Sequence, residues 1–200
     1  MTLAGDGAGT SAARRWQAEG TVKGRSARGA VITLVALMAG LTTAASALGV
    51  AGTSGSERFD GGLVVSNPTG GHRRVAGSVV AMSGVFTGLG RIVERPNRAG
   101  DAANVNRDDL VFSTGTIHLV NEVGPTAFAV NPRTCTATFT AQGTSRVDGG
   151  SGRFAGATGT FTTSLHGSGA TRRNTDGSCD RQHPPLVEVD SLSGTGTLTF

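Results

Sequence analysis

Along most of this chain, apolar residues alternate with Thr, Ser and Gly at a period of two. That period places successive side chains on opposite faces of an extended strand and does not fit the 3.6-residue period of an amphipathic helix. Residues 134–141 are the clearest case. Cys135, Ala137, Phe139 and Ala141 share one face, and Thr134, Thr136, Thr138 and Thr140 share the other. Residues 195–200 repeat the pattern, with Leu198 and Phe200 together. The same reading predicts strands over 63–66, 75–82, 85–93, 110–114, 116–122, 126–130, 159–166 and 186–192. Asn67-Pro68, Asn131-Pro132, Asp148-Gly149 and Asp176-Gly177 punctuate them as turns. The polar, Asn-rich stretch 95–109 reads as a long loop.

Short strands with no helix between them imply an antiparallel sandwich or barrel. Interior Gly, Ala and Thr favour a tightly curved sheet, and about 150 residues in eight strands fit a small barrel. The 200 residues fit one domain. The 32 glycines lack a G-X-Y period, which excludes collagen. The expected fold is therefore an all-β, eight-stranded antiparallel barrel over 58–200. A flexible leader (48–57) and an N-terminal signal helix within 1–47 precede it.

A pI near 10.4 suggests a nucleic-acid partner, but the position of the charge argues otherwise. Arg14, Arg15, Lys23, Arg25 and Arg28 all precede residue 30, and the next charge is Glu57. Between them lie an apolar run, 30–41, and then Ala45-Ser46-Ala47. A basic start, a short apolar core and an A-x-A site are the parts of a secretory signal. The run is short for a membrane span, which needs roughly 20 residues, although continuation through 42–50 leaves an uncleaved anchor as the alternative. The twin Arg14-Arg15 stands too far from Ala30 for a twin-arginine signal, so a Sec-type signal is expected. A start near Val22, encoded as GTG, would give a more compact signal than Met1.

Cleavage after Ala47 leaves 13 Arg, no Lys and 12 carboxylates, a net charge of +1. It also leaves no Tyr or Trp to stack on bases. The sequence thus predicts a secreted chain with no nucleic-acid partner and no stable membrane anchor. Two cysteines in an exported protein favour a Cys135–Cys179 disulfide; two buried thiols are the alternative. The chain has no CxxC pair, and His166 and His183 are loosely placed, so no metal and no other cofactor is expected.

Hydrolase, zinc-protease, NTPase and EF-hand motifs are missing. The remaining candidates are polar residues within apolar strands. His118, between Ile117 and Leu119, would be an acid or base if it faced the lumen and a solvent-facing residue otherwise. Arg91 and Glu94 close one strand, and Glu188 and Asp190 share a face of another. Inward carboxylates would suit acid catalysis in a dry lumen. The simpler expectation puts them outward, with Val187 and Val189 buried.

The most distinctive stretch is Gly149-Gly-Ser-Gly-Arg-Phe-Ala-Gly-Ala-Thr-Gly-Thr-Phe161. Its glycines permit positive φ and close strand approach, and Phe154 and Phe161 would anchor the turn and the outgoing strand. Arg153 would bond exposed carbonyls or pair with an acid. On the residues alone this is a structural hairpin. It lacks the third glycine and the following helix of a dinucleotide fingerprint.

Through Gly150, Gly152, Arg153, Phe154, Gly156 and Gly159, the stretch also resembles the G-G-x-G-[RK]-F-x-x-A-x-G segment of the allene oxide cyclase/dirigent barrels. The resemblance implies an eight-stranded barrel with a hydrophobic cavity. It also implies a hydrophobic small molecule in the lumen and a cyclase or isomerase acting by confinement. The competing reading is a non-enzymatic exported binding or structural module with a filled barrel. A lumen open by a few hundred Å3 separates the two. Either reading is compatible with a homo-oligomer.

Overall fold

The computed structural model describes residues 52–67 and 74–200. The expected signal, its Ala45/Ala47 cleavage site and the start near Val22 lie outside the described residues. Eight strands run in chain order: β1 (Ser54–Ser66), β2 (Arg74–Gly84), β3 (Gly88–Arg95), β4 (Val105–Phe112), β5 (Gly115–Asn131), β6 (Thr136–Gly152), β7 (Thr158–Ala170) and β8 (Val187–Thr199). Each pairs antiparallel with its neighbours in sequence. β8 returns to β1 in an unbroken register from Ser54↔Thr199 to Ser66↔Val187, which closes the barrel.

The boundaries correct the sequence reading in several places: Asp148-Gly149, expected as a turn, lies within β6, and the strand expected from Val85 begins at Gly88. β1 begins at Ser54, so residues 54–57 are strand rather than leader. The expected strands 116–122 and 126–130 are one strand, β5, whose register shifts between Val123 and Thr126. Gly124 and Pro125 occupy that shift, and Pro has no N–H to give to a ladder. The expected loop 95–109 ends early because β4 starts at Val105. The polar residues there are strand residues whose partners lie on the walls of the barrel.

Inward positions alternate large and absent side chains. Phe59, Val80, Ile92, Leu110, Ile117, Phe161 and Leu198 are buried in one cluster. Gly194 pairs directly with Phe59, and a Cβ there would overlap the Phe59 ring. A Cβ on Gly167 would overlap Phe139, and one on Gly61 would come within 2.8 Å of Ile92 Cδ1. The inward glycines are thus occupied volume: each leaves room for a ring or branched chain from a neighbouring strand.

The two ends differ. At the end where β1 starts, the rings of Phe86, Phe112, Phe154 and Phe200 pack on one another, with centroids 4.9 Å apart for Phe86–Phe154 and 5.1 Å for Phe154–Phe200. At the other end a disulfide joins Cys135, beside β6, to Cys179 in the β7–β8 connection, Cα to Cα 5.3 Å.

Candidate functional site

The residues singled out by sequence fall on opposite sides of the barrel wall. Strand alternation aims His118 and Arg91 outward and Glu94 and Glu188 inward. They do not form one site.

On the outer wall, His118 Nδ1 lies 2.7 Å from Asp109 Oδ1, its direct cross-strand partner. A carboxylate only accepts, so Nδ1 carries the proton and Nε2 is left on the outer side. Arg95 Nη1 donates to the second oxygen, Asp109 Oδ2, at 2.7 Å. This constellation orients an imidazole, and Arg95 balances the charge of the carboxylate. Asp109 ends the stretch 95–109 that reads as a loop in the sequence, which hides its pairing. Its parity against Leu110 and Phe112, which must face inward, was the available signal. Arg91 is exposed on the same face.

Next to this group, Arg107 clamps Asp101 with two parallel bonds, Nε to Oδ2 at 2.7 Å and Nη2 to Oδ1 at 2.9 Å. The Arg107 hydrogen bonds, and then the backbone N–H of Arg98, hold the Asp101 carboxyl down at about 2. Residues 96–104 are thereby tied to the outer wall.

The inner wall at the disulfide end is acidic. Glu188 and Asp190 are 5% and 3% exposed, while Val187 and Val189 are 44% and 55% exposed. This reverses the simpler expectation for the strand. Leu192 and Leu198 share the parity of Glu188, so the inward demand of these leucines carries the carboxylates in with them. Asp108, directly opposite Glu94 on the inner face, accepts a bond from Asn121 Nδ2 at 2.7 Å. Asn121 Oδ1 accepts in turn from Ser145 Oγ at 2.6 Å. Four inward carboxylates therefore sit at one end, and an amide and a hydroxyl relay connects one of them to β6.

At the aromatic end, the glycine-rich stretch is a turn scaffold. Gly152 and Gly156 have φ of +60° and +78°, the left-handed region that other residues rarely adopt. A Cβ on Gly150 would stand 2.5 Å from Phe154 O and from Thr116 O. Phe154 is fully buried in the aromatic cluster. Among the described residues, no carbonyl and no acid is bonded to the Arg153 guanidinium. Its guanidinium lies over the rings of Phe86 and Phe200, at 5.5 and 5.1 Å from their centroids. Beneath them the buried Glu57 accepts the Phe86 N–H at 2.8 Å. Burial raises the Glu57 pKa, partly offset by the N–H groups of Phe86, Arg58 and Ser83.

Two open concavities, about 730 and 770 Å3, lie at the disulfide end outside the lumen. The larger contains His183, whose Nδ1 is 2.8 Å from Asp180 Oδ2. Burial would raise the Asp180 pKa, but the bonds from the Gln182 N–H and from the His183 ring and N–H outweigh it and lower it. Among the described residues, no three His, Cys, Asp or Glu side chains are grouped to hold a metal ion. No family's sequence profile, no curated protein and no solved structure matches the chain.

Proposed function

We propose that this chain is an exported, non-catalytic β-barrel module, a binding or structural protein whose lumen is filled by its own side chains. The observation that carries the reading is the interdigitation of inward rings with inward glycines, Phe59 over Gly194 and Phe139 over Gly167. Volume a ligand would need is taken by side chains in their native positions. The Cys135–Cys179 disulfide supports export, because such bonds persist in oxidising compartments. The strand number and the glycine-rich turn support a likeness to the allene oxide cyclase/dirigent barrels, with the lumen closed.

Native mass spectrometry of the purified protein, with a melting-temperature screen against small hydrophobic compounds, tests this. The expected result is an unliganded mass and no stabilised hit. A stoichiometric hydrophobic ligand would overturn it.

The inward Glu188 and Asp190 favour a second reading, a small ligand handled by carboxylates at the disulfide end. A hit whose stabilisation disappears in Glu188→Gln and Asp190→Asn would select it.

A further inference from the structure

The barrel wall is thinly joined between β2 and β3. Their ladder holds only Val80↔Gly90, Ala81↔Leu89 and Met82↔Gly88. Two of the three β3 residues in it are glycines, with no side chain to pack. The same register carried on would set Ser78 against Ile92, Gly77 against Val93, Ala76 against Glu94 and Val75 against Arg95, but none of these is paired. Each strand is held there on its far side only, β2 by β1 to Ser66↔Arg74 and β3 by β4 to Arg95↔Arg107. Where the two part, a side chain stands in for the ladder. Ser78 Oγ donates to Ile92 O at 2.7 Å and accepts the Ile92 N–H at 3.2 Å. Past it, Ala76, Gly77, Glu94 and Arg95 are exposed, and a Cβ on Gly77 would meet no atom within 4 Å.

We propose that Ser78 is the latch of a lateral gate between β2 and β3, through which small cations reach the carboxylates of the lumen. Opening breaks two bonds of one hydroxyl and leaves the other seams intact; the next shortest ladder, β3 with β4, runs unbroken over Gly90–Arg95. Openings of this kind cost far less than unfolding. The acidic groups lie behind the latch. Leu63 pairs with both Ser78 and Asp190, so these three fall in one cross-strand row. Glu94 stands on the β3 bank of the gap, with Asp108 directly opposite it on β4. Each carboxylate offers about four acceptor sites, so its partners within the chain leave room for a passing ion. Towards the aromatic end Phe59 over Gly194 shuts the way, and the gate serves the acid end alone. The inference concerns the wall and holds whether the lumen is filled by side chains or takes a ligand.

Amide hydrogen exchange on the purified full chain, read by NMR, tests it. The Ile92 amide should exchange through a local opening, faster than the amides of β1 and β8 and indifferent to low denaturant. Ser78→Ala should speed Ile92 about five- to hundredfold, for the loss of two hydrogen bonds, while β1 and β8 change little. Ser78→Thr, which keeps the hydroxyl, should restore the slow rate. Dilute Mn2+ should broaden the signals of Asp108 and Asp190, and more strongly in Ser78→Ala. An Ile92 amide as slow and as denaturant-sensitive as those of β1 and β8 overturns the proposal. So does a Ser78→Ala protein in which all strands quicken equally, since that is loss of global stability. Mn2+ broadening that does not rise in Ser78→Ala would give the carboxylates another entrance, and overturns it too.

Discussion

The ring of Phe59 on β1 occupies the volume that a side chain on Gly194, its cross-strand partner on β8, would need. Phe59 also meets Phe161 edge to face, at a centroid distance of 5.3 Å, so the ring has little room to turn away. Gly194→Ala is therefore expected to destabilise the barrel by about 1–3 kcal/mol, as overpacking of a tight core does. Thermal melts should fall by about 2–4 °C for each kcal/mol. Phe59→Leu in the same chain should recover part of the loss, a coupling that distant sites would not show. A Gly194→Ala protein as stable as the parent would mean that the lumen has slack.

The disulfide joins residues 44 apart in sequence. In the chain-entropy treatment, closing a loop of that size contributes roughly 4 kcal/mol. Reduction, or Cys135→Ser with Cys179→Ser, should lower the melting temperature accordingly. The loss should appear first as faster amide exchange at Thr171, whose N–H donates to Cys135 O at 2.8 Å, and at Asp180, whose N–H donates to Arg172 O. Exchange that quickens instead at Phe154 and Phe161 would place the effect in the barrel as a whole.

What could be read in advance, and what could not, follows from the strand period. Period two identified the strands because Thr and Gly separate Ala, Val, Leu and Phe so regularly in 134–141 and 195–200. It does not say which face is inside when both faces carry apolar residues. In β8, Val187 and Val189 compete with Glu188 and Asp190, and the choice belongs to Leu192 and Leu198 farther along the same strand. Strand continuity was also hidden. Gly124-Pro125 looks like a break, yet β6 pairs on both sides of it and carries β5 through. Arg107 and Asp109 looked like loop residues because their partners, Asp101 and His118, are visible only once β4 and β5 are paired. The sequence points Arg153 to a polar partner, since nothing local shows that Phe86 and Phe200 converge on it.

Glu57 should make the barrel more stable in acid than its surface carboxylates alone would. Its pKa in the folded protein is raised above the ordinary 4.5 by burial. The folded state thus holds this proton more tightly than the unfolded state. The stability linked to it is complete below about pH 4.5 and is lost as pH rises through the raised value. Glu57→Gln keeps an acceptor for the Phe86 N–H and removes the titration. Melting temperatures of the two proteins should agree near pH 4, with the Gln variant the more stable at pH 7. A Gln variant less stable than the parent at pH 7 would show that the Phe86 N–H needs the charge.

Asp101 titrates in the opposite sense. Its carboxyl, clamped by Arg107, is lowered from 3.8 to about 2 in the folded protein. The unfolded chain therefore binds the proton at higher pH than the folded one. The stabilisation is complete above about pH 4 and is lost as pH falls through about 2. Asp101→Asn removes the charge that both Arg107 and the Arg98 N–H address, so it should loosen residues 96–104 at neutral pH. Amide exchange at Asp101 and Val105, whose N–H groups close the turns of that segment, should quicken. Melts of the two proteins should differ at pH 6 and converge towards pH 2. A gap of constant size across that range would mean that the clamp acts through shape rather than charge, and that the carboxyl of Asp101 is not the group that ties the loop to β4.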